Sequence, residues 1–405
     1  MKVLMFSPGF PAEMPQFTRG LAEVGAAVFG IGDQPAEALP DLAQASLEGY
    51  QQVSSLWDED RLIAEILPLH HKVGFDLVEC LWEPGMLVAA RLREELGIPG
   101  MSVADTQLYR DKELMKQALD QAGIRTPRHF RARTASECRD AAERIGFPII
   151  IKPIAGAGSA DTHRVNSASE LEAVLPRLHH VEELSVEEFI DGEEFTFDTI
   201  SIEGEIAYFN IAWYRPRPLL ARTQEWVSPQ TISLQDPWVP ELESGREMGR
   251  AVISALGFRT GFTHMEWFLK ESGEAVFGEI GARPPGARSV DIMAAASNLD
   301  IFRGWAEAVC HHSFTVPMER RYNAAVVFKR AQGEGRISRI EGLERLLFRY
   351  GSHITSLDLL PPGASRRNWR QTLLSDGSIV LRHPHLPTLL EMADAFGTDL
   401  QIYAE

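Results

Sequence analysis

The sequence predicts a mixed fold in which an α/β part is followed by an α+β part. Over the first 105 residues, short apolar runs alternate with amphipathic helical patterns, which is typical of a parallel sheet. From residue 106 to residue 312, apolar strands follow one another across glycine-containing turns, which is typical of antiparallel sheets. Two further strand patterns come after these. We therefore expect three units: residues 1–105, residues 106–312 and a smaller C-terminal unit over residues 313–405.

The first unit has the pattern of a small Rossmann-like domain. The apolar run KVLMF is followed by the helical stretch PQFTRGLAEVG and then by AAVFGIGD, and the alternation continues through FDLVECLW. Such βαβ units form a parallel sheet covered by helices. No GxGxxG follows the first strand, so we do not expect a dinucleotide site in this unit.

The second unit is predicted to combine helices with antiparallel strands. ADTQLYRDKELMKQALDQAG predicts a single amphipathic helix with Gly123 as its C-terminal cap. PIIIKP predicts a strand that ends in Lys152, and HMEWFL with AVFGEI predicts a hairpin around Glu271–Gly273. Residues 213–240 are rich in Pro, Arg and Trp and predict a long irregular segment, a kind of segment that is often functional.

Composition and charge limit the possible partners. The 405 residues carry a formal net charge of −17, from 57 acidic and 40 basic side chains. This charge repels nucleic acid and anionic membranes, so we expect neither as a partner, whereas a small phosphate ligand held by local cations is compatible with it. No run of 18 apolar residues occurs, so no membrane span is expected. The three widely spaced cysteines predict no disulfide framework and agree with a cytoplasmic location.

The first candidate binding segment is PIIIKPIAGAGSAD. Lys152 ends the predicted strand and is followed by a loop of small residues that includes Gly158 and Ser159. Small residues allow backbone N–H groups to approach an anion, and the lysine supplies positive charge. By itself the segment also fits a flexible glycine-rich turn. Lys112, at the start of KELMKQ, is a second candidate cation, although a lone helix lysine is normally solvated.

Acidic residues mark a second candidate segment, SVEEFIDGEEFTFD. It contains Glu187, Glu188 and Ile190 on a predicted strand, followed by Glu194. Strand backbone groups can recognise the edge of adenine, and a carboxylate can accept hydrogen bonds from both ribose hydroxyls. An edge strand decorated with acidic residues is the alternative interpretation.

The predicted hairpin carries two more carboxylates. Strand alternation places Glu266 on one face with His264, and Glu279 on one face with Phe277 and Gly281. Two carboxylates that face each other across paired strands repel, so we expect a cation between them. Hard oxygen ligands suit Mg²⁺ or Mn²⁺, which also take phosphate oxygens.

In this order and spacing, the segments resemble the ATP-grasp superfamily over roughly residues 105–312. The resemblance is carried by RDK, IIIKP with its small-residue loop, VEEFIDGEEF, and the pair HME and GEIGAR. It implies an ATP-grasp fold with central and catalytic subdomains, in which two lysines bind the nucleotide phosphates and one strand segment with the glutamate after it binds adenosine. The implied ATP ligands are Lys112, Lys152, Gly158, Ser159, Glu187, Glu188, Ile190 and Glu194.

The resemblance also implies a metal site and a catalytic arginine. Glu266 and Glu279 would hold Mg²⁺, and Arg283 would lie on the transferred phosphate. The usual family pattern continues as Glu-x-Asn, whereas this chain has Gly281 at the third position. One metal ligand of the family is therefore missing here, or water or another residue replaces it.

Within the superfamily, HxE…EIGARxxG and the upstream TQEWVSP look most like the carboxylate-amine or L-amino-acid ligase branch. This implies an ADP-forming ligase that makes an acyl phosphate, which an amine of an amino acid attacks. Arg288 is expected to be a second catalytic residue that clamps a substrate carboxylate. Trp213 and Trp226 are expected to wall a side-chain pocket, while Glu225 either holds a substrate ammonium or pairs with Arg222. Small-molecule substrates and a homodimer follow from the same resemblance.

Two alternatives stay open. A biotin-carboxylase-like enzyme normally has a glutamate shortly after the catalytic arginine, but here Arg283 is followed by Pro-Pro-Gly-Ala. The second alternative is a nucleotide-binding protein without catalysis, which only the glycine at position 281 supports.

Overall fold

The N-terminal part of the computed structural model is a parallel sheet with helices packed against it; the structure as a whole describes residues 1–155, 161–369 and 375–405. The elements of this part are β1 (Lys2–Phe6), α1 (Met14–Glu23), β2 (Ala27–Gly32), α2 (Asp41–Ser46), β3 (Gly49–Gln52), α3 (Glu59–Val73), β4 (Leu77–Glu79) and α4 (Met86–Leu96). All neighbours pair in parallel, in the order β3-β2-β1-β4. The parallel sheet predicted from the alternation of strands and helices is thus confirmed.

The single helix predicted after this sheet is in fact two helices. They are α5 (Val103–Gln107) and α6 (Lys112–Gln121). The Asp111 carboxylate accepts hydrogen bonds from the backbone N–H groups of Glu113 and Leu114, while Asp111 itself has an extended backbone. Such an N-cap starts a new helix, because it satisfies N–H groups that have no partner in the first turn. The break places Lys112 at the first position of α6.

A four-stranded antiparallel sheet follows. Its elements are β5 (His129–Ala132), α7 (Ala135–Ile145), β6 (Ile149–Pro153), β7 (His163–Val165), α8 (Ala168–Val174) and β8 (Leu184–Glu188). The strand order is β5-β8-β6-β7. Ile149, Ile151 and Val186 are fully buried against α7 and α8. Because side chains alternate along a strand, Lys152 and Glu187 lie on the opposite face of the sheet.

The largest sheet has nine strands and spans the rest of the chain. The remaining elements are β9 (Glu193–Ile202), β10 (Glu205–Asn210), β11 (Ala212–Arg215), α9 (Pro218–Thr223), β12 (Gln230–Ser233), α10 (Glu243–Ala255), β13 (Gly261–Leu269), β14 (Ala275–Gly281), α11 (Ser289–Ser297), α12 (Ile301–His311), β15 (Asn323–Lys329), β16 (Gln332–Gly333), β17 (Ile337–Glu341), α13 (Leu343–Tyr350), β18 (Ile354–Leu359), β19 (Gly377–His383), α14 (Leu386–Asp399) and β20 (Gln401–Ala404). The sheet order is β14-β13-β9-β11-β12-β15-β19-β18, with β10 also paired to β9, and β16-β20-β17 form a small separate sheet.

One prediction about this region was wrong, and another stays a prediction. Residues 213–240 were expected to be irregular, but β11 and β12 pair there and connect β9 to β15. These two short strands were not predicted because prolines follow β11 and precede β12, and prolines are typical of irregular segments. The C-terminal strands β15, β18 and β19 belong to the same sheet as the predicted hairpin, so the boundary between residues 312 and 313 stays a prediction. None of the described helices combines the length and apolarity that crossing a bilayer requires.

The predicted hairpin of β13 and β14 contains a bulge. Glu266 lies opposite Glu279, but the next residue, Trp267, lies opposite Phe277, so Gly278 is the extra residue. A Cβ at Gly278 would come within 2.8 Å of the Glu266 carbonyl oxygen, which only glycine avoids. The bulge reverses the alternation. The prediction that Phe277 and Glu279 share a face was therefore wrong: Phe277 packs with Trp267 in the core, while Glu279 faces a cavity.

Candidate active site

A cavity lies between the β5–β8 sheet and the β13–β14 hairpin. It brings together residues that the sequence analysis singled out from five separate segments. Those that line it are Lys112, Lys152, Glu187, Glu188, Ile190, Glu194, Glu266, Glu279 and Arg283. Gly158 and Ser159, predicted to bind phosphate, lie outside the described residues. The cavity thus holds lysines, carboxylates and an arginine within one enclosed space, which we call the polar cavity.

Two lysines form ion pairs with Glu187, which lines the polar cavity. Lys116 Nζ lies 3.0 Å from Glu187 Oε1, and Lys152 Nζ lies 3.0 Å from Glu187 Oε2. Burial favours the neutral form of Glu187, but the two lysines hold its pKa well below its usual range. Burial opposes the charge of Lys152 as well, yet Glu187 and Glu279 raise its pKa overall. Lys152 is therefore held as a cation facing the cavity.

Lys116 was missed in the sequence analysis. Its side chain is fully buried, and burial lowers its pKa. It lies four residues after Lys112 on α6, so the two lysines occupy one face of the helix. The four-residue spacing between Lys112 and Lys116 could have revealed Lys116 in the sequence.

The two predicted metal ligands face each other in the polar cavity. Glu266 and Glu279 are direct cross-strand partners. Lys112 Nζ lies 2.9 Å from Glu279 Oε1, and the Tyr214 hydroxyl donates to Glu266 Oε1 at 3.2 Å. No group of three or more potential metal-binding side chains occurs in the part of the chain that the structure describes. The donor set is therefore two carboxylates, which fits a cation that takes its other ligands from phosphate and water.

Buried charges also surround Glu266. His264 Nδ1 lies 2.6 Å from Asp198 Oδ1, and its Nε2 lies 3.5 Å from Glu266 Oε1. Burial lowers the pKa of His264, but the hydrogen bonds to Asp198 and Glu266 outweigh it and raise the pKa to about 9. Burial likewise raises the pKa of Glu266, but His264 and Arg283 lower it to about 2. An imidazolium thus links the two carboxylates at neutral pH.

The His264 charge gives a testable pH dependence of stability. Because its pKa is raised from 6.5 to about 9 in the folded state, its contribution is complete below pH 6.5 and is lost as the pH rises through 9. Between these limits we expect wild type to lose about 3 kcal/mol more unfolding free energy than His264→Gln. Urea denaturation of both proteins across this range measures the difference. Parallel pH profiles would show that His264 is neutral in the folded protein.

Glu194 and Glu188 also line the polar cavity. Burial and the nearby charge of Glu266 raise the pKa of Glu194 to about 8, against the opposing effect of Arg217, whose Nε lies 3.4 Å from it. Glu188 forms an ion pair with Arg125, in which Glu188 Oε1 lies 3.1 Å from Arg125 Nη2. The guanidinium of Arg217 also lies over the ring of Phe268, 4.9 Å from its centroid. These residues give this part of the cavity apolar and polar surfaces side by side.

The predicted catalytic arginine is oriented by a residue from the N-terminal part. Arg283 Nη2 and Nε donate to Glu83 Oε2 at 2.5 and 2.8 Å, and Arg110 donates to the other oxygen of Glu83. Glu83 is only 7% exposed. The two arginines outweigh burial and lower its pKa. Sequence analysis missed Glu83, because no local pattern links it to an arginine 200 residues away.

Gly281 makes room for this arrangement. A Cβ at position 281 would lie 3.3 Å from Cγ of Arg283 and 3.6 Å from its Nε. The stem of Arg283 therefore passes over the glycine. The side chain of Arg283 covers position 281, which explains why this chain has glycine there instead of asparagine.

A second cavity, of about 450 Å³, opens beside Arg283. We call it the apolar cavity. It shares Glu83, His264, Glu266 and Arg283 with the polar cavity. The remaining wall is largely apolar and comes from distant segments; it includes Met14, Leu81, Trp82, Pro84, Tyr214, Pro216, Pro218, Pro284, Pro285, Phe328 and Trp369. Most of these residues carry no motif, so the sequence did not predict this cavity.

The predicted substrate residues are not brought to these two cavities. Arg288 points to Asp291 and Asp358, with N–O distances of 3.4 and 2.9 Å, and it lines neither cavity. Glu225 forms an ion pair with Arg366. Trp213 donates its indole N–H to Glu193 at 2.8 Å and lines a neighbouring cavity beside β11. Trp226, predicted to wall a pocket with Trp213, is 80% exposed.

Comparisons with known proteins agree with this geometry. The sequence profile of the ATP-grasp N-terminal domain matches residues 22–100, and that of the ATP-grasp domain matches residues 145–291. The chain is 29% identical over 260 residues to the L-arginine-specific L-amino acid ligase of Bacillus subtilis, covering 60% of this chain and 61% of that protein. It is 27% identical over 278 residues to the alanine–anticapsin ligase of Bacillus subtilis (strain 168), covering 62% and 57%. The chain thus spans less than two thirds of the curated relatives it matches.

Solved structures extend the likeness to the whole chain. A crystal structure of an L-amino acid ligase from Bacillus licheniformis superposes with a TM-score of 0.80 at 21% identity, covering 100% of this chain and 98% of that one. An N5-carboxyaminoimidazole ribonucleotide synthetase from Thermotoga maritima gives 0.74 at 18% identity, covering 100% and 99%. At these identities the superpositions show a shared fold.

Proposed function

Because the chain belongs to the ATP-grasp superfamily, we propose that it is an ATP-dependent carboxylate-amine ligase. The observation that carries the proposal is the junction of the two cavities. Lysines and paired carboxylates fill the polar cavity, and Arg283 stands where it opens into the apolar cavity. A nucleotide in the first cavity and a carboxylate substrate in the second would meet at this arginine.

The reaction follows from this arrangement. A carboxylate oxygen of one substrate attacks the γ-phosphorus of ATP, giving an acyl phosphate and ADP. The nitrogen of an amine, expected to belong to an amino acid, then attacks the acyl carbon. The C–O bond to phosphate breaks, phosphate leaves, and the amine nitrogen loses a proton to give an amide. The chain needs to supply positioning and charge rather than a nucleophile.

Individual residues have separate tasks in this proposal. Lys112 and Lys152 bind the phosphates, and Arg283 stabilises the negative charge that develops on the transferred phosphoryl group. Glu83 positions Arg283 through its two hydrogen bonds. Residues 187–190, where β8 ends, lie along adenine, and Glu194 accepts hydrogen bonds from the ribose hydroxyls.

Glu266 and Glu279 would hold Mg²⁺, the cation that hard oxygen ligands and phosphate prefer. When bound, Mg²⁺ neutralises phosphate charge. Lys112 lies beside Glu279 and so adds positive charge next to the same group. The biotin-carboxylase-like alternative has less support, because the cavity wall after Arg283 is Pro284-Pro285-Gly286-Ala287 and offers no carboxylate.

Product analysis tests the proposal. Purified protein is incubated with Mg²⁺-ATP and pairs of amino acids, and nucleotides and phosphate are quantified. We expect ADP and phosphate in equal amounts, released only when both an acid and an amine are present. AMP with pyrophosphate would contradict the acyl-phosphate route. Nucleotide binding without turnover across the panel would favour the non-catalytic alternative.

Homodimer formation and a cytoplasmic location stay predictions.

A substitution at Gly281 tests the assignment of Arg283. Gly281→Asn restores the asparagine of the family pattern, yet we expect it to lower kcat about tenfold. The new side chain would begin 3.3 Å from Arg283 Cγ and displace the guanidinium from Glu83. Steady-state ADP release measures the effect. Gly351→Asn, whose new Cβ would meet nothing within 4 Å and which lines neither cavity, is the control for adding an asparagine side chain. A higher rate in Gly281→Asn would instead indicate a metal ligand at this position.

A further inference from the structure

The apolar cavity contains two arginines that the proposed reaction does not use. Arg222, on α9, and Arg330, just after β15, both line it. They lie on the part of the wall formed by Ala221, Phe328 and Trp369. Arg283 and Glu266 form another part of the same wall. A cavity with apolar sides and cations away from its reacting end suits a ligand with an apolar body and an anionic terminus.

The sheet separates these cations from the reacting end. Glu266 is on β13 and Arg330 follows β15, and the strands between them are β9, β11 and β12. Four strand spacings correspond to roughly 19 Å between the two backbones. The long side chains shorten this gap, but an amino acid's own α-carboxylate lies too close to its amine to span it. A ligand that reaches both ends must carry a second charge remote from its reacting group.

Arg330 has hydrogen-bond donors that could still bind an anion. Its Nη1 donates to the carbonyl oxygens of Ala221 and Gln224, at 2.9 Å each, and its guanidinium lies 4.5 Å from the centroid of the Trp369 ring. Its Nε is buried and has no hydrogen-bond partner among the described residues. Burial, together with the charge of Arg222, lowers its pKa to about 10.

The two carboxylates whose charges act on Arg330 are Glu225 and Asp376, and each has other partners. Glu225 pairs with Arg366. Asp376 accepts hydrogen bonds from the backbone N–H groups of Ala331 and Arg367, at 2.7 Å each. Both carboxylates are thus engaged by other groups, and neither lines the apolar cavity.

We propose that Arg222 and Arg330 determine substrate specificity by binding a distal carboxylate of a substrate whose apolar body fills the apolar cavity. The substrate class is therefore a carboxylic acid with a second carboxylate at the far end of an apolar chain. This inference rests on the proposed function for the identity of the reacting end. The arginine pair itself takes no part in phosphoryl transfer.

Matched ligands test the inference by direct binding. Calorimetry on the full-length protein with Mg²⁺-ADP compares adipate, suberate and sebacate with hexanoate, octanoate and decanoate, so that each pair differs only in the distal carboxylate. We expect at least one dicarboxylate to bind tenfold or more tightly than its partner. Arg222→Gln should reduce that preference to twofold or less while leaving the affinity for the monocarboxylate unchanged. Arg349→Gln, an exposed arginine paired with Glu391, should keep the full preference.

A second variant keeps the test decisive. Arg330→Gln should have the same effect as Arg222→Gln, and circular dichroism checks that the loss of its hydrogen bonds to α9 has not unfolded the protein. Equal affinities within every pair, no binding of any probe, or an unchanged preference in folded Arg222→Gln would overturn the inference. The ADP-release assay decides the proposed function independently of this binding test. If amino acids trigger ADP release but the binding test fails, only the inference about the arginine pair is overturned. If no ADP is released, the proposed function itself is contradicted.

Discussion

Replacing Glu187 by glutamine is expected to lower the free energy of unfolding by about 3–5 kcal/mol. The carboxylate is 4% exposed and is the shared partner of Lys116 and Lys152. Removing its charge leaves the buried ammonium group of Lys116 and the partly buried one of Lys152 together without their shared carboxylate. Breaking a buried pair from one side is far more costly than replacing the pair. The shift of the urea or thermal denaturation midpoint measures the loss.

The neighbouring residue provides the control. Glu188→Gln removes a carboxylate whose partners, Arg125 and Arg128, are themselves partly solvent-exposed, so we expect a loss below about 1 kcal/mol. Lys116→Met combined with Glu187→Gln should recover part of the stability, because only one lysine then lacks a partner. Equal losses in Glu187→Gln and Glu188→Gln would show that the lysine pair is neutral or hydrated in the folded protein.

Replacing Glu279 by glutamine is expected to reduce kcat by about 10²- to 10³-fold with the fold intact. The carboxylate is a direct cross-strand partner of Glu266 and lies 2.9 Å from Lys112. Its loss removes one of the two carboxylates proposed to hold the cation and takes a negative charge away from beside Lys112. ADP release at saturating substrates gives kcat, and the near-ultraviolet circular dichroism spectrum reports the fold.

Glu274→Gln is the matched control for this substitution. Glu274 lies next to the same strand, in the hairpin turn, and pairs with Lys270 at 2.7 Å on the protein surface. We expect its kcat to stay within twofold of wild type. A Glu279→Gln enzyme with wild-type turnover would refute the assignment of this carboxylate to the metal and phosphate site.

The fold was predictable where a pattern lies within one segment. The hairpin of β13 and β14 was predicted because two apolar runs, HMEWFL and AVFGEI, lie on either side of a glycine-containing turn. These runs did not reveal the bulge, since Gly278 looks like any strand glycine until the partner strand is known. The break before α6 was missed for a related reason: Asp111 fits the polar face of a continuous helix as well as it fits an N-cap.

The same limit applied to the candidate site. Lys112, Lys152, Glu266 and Glu279 were found because each sits in a short motif, and the structure places them around one cavity. Glu83 could not be found, because it acts through contacts across the fold rather than along the chain. Arg288 shows the opposite case, a residue predicted from a motif that lines neither cavity. It stands near a motif, but its left-handed backbone (φ 61°) and its pairing with Asp358 turn it away from the cavity.

The unbroken sheet from β14 to β18 has a consequence for any attempt to shorten the protein. Residues of β15 supply the hydrogen-bond partners of β12, for example Val326 opposite Thr231. A fragment ending at residue 312 would keep the whole polar cavity yet present β12 as a bare edge, with a row of unpaired backbone donors and acceptors. Bare edges of this kind recruit strands from other molecules. The smallest useful version of this protein therefore extends well beyond Arg283, the last residue in the chain that lines the polar cavity.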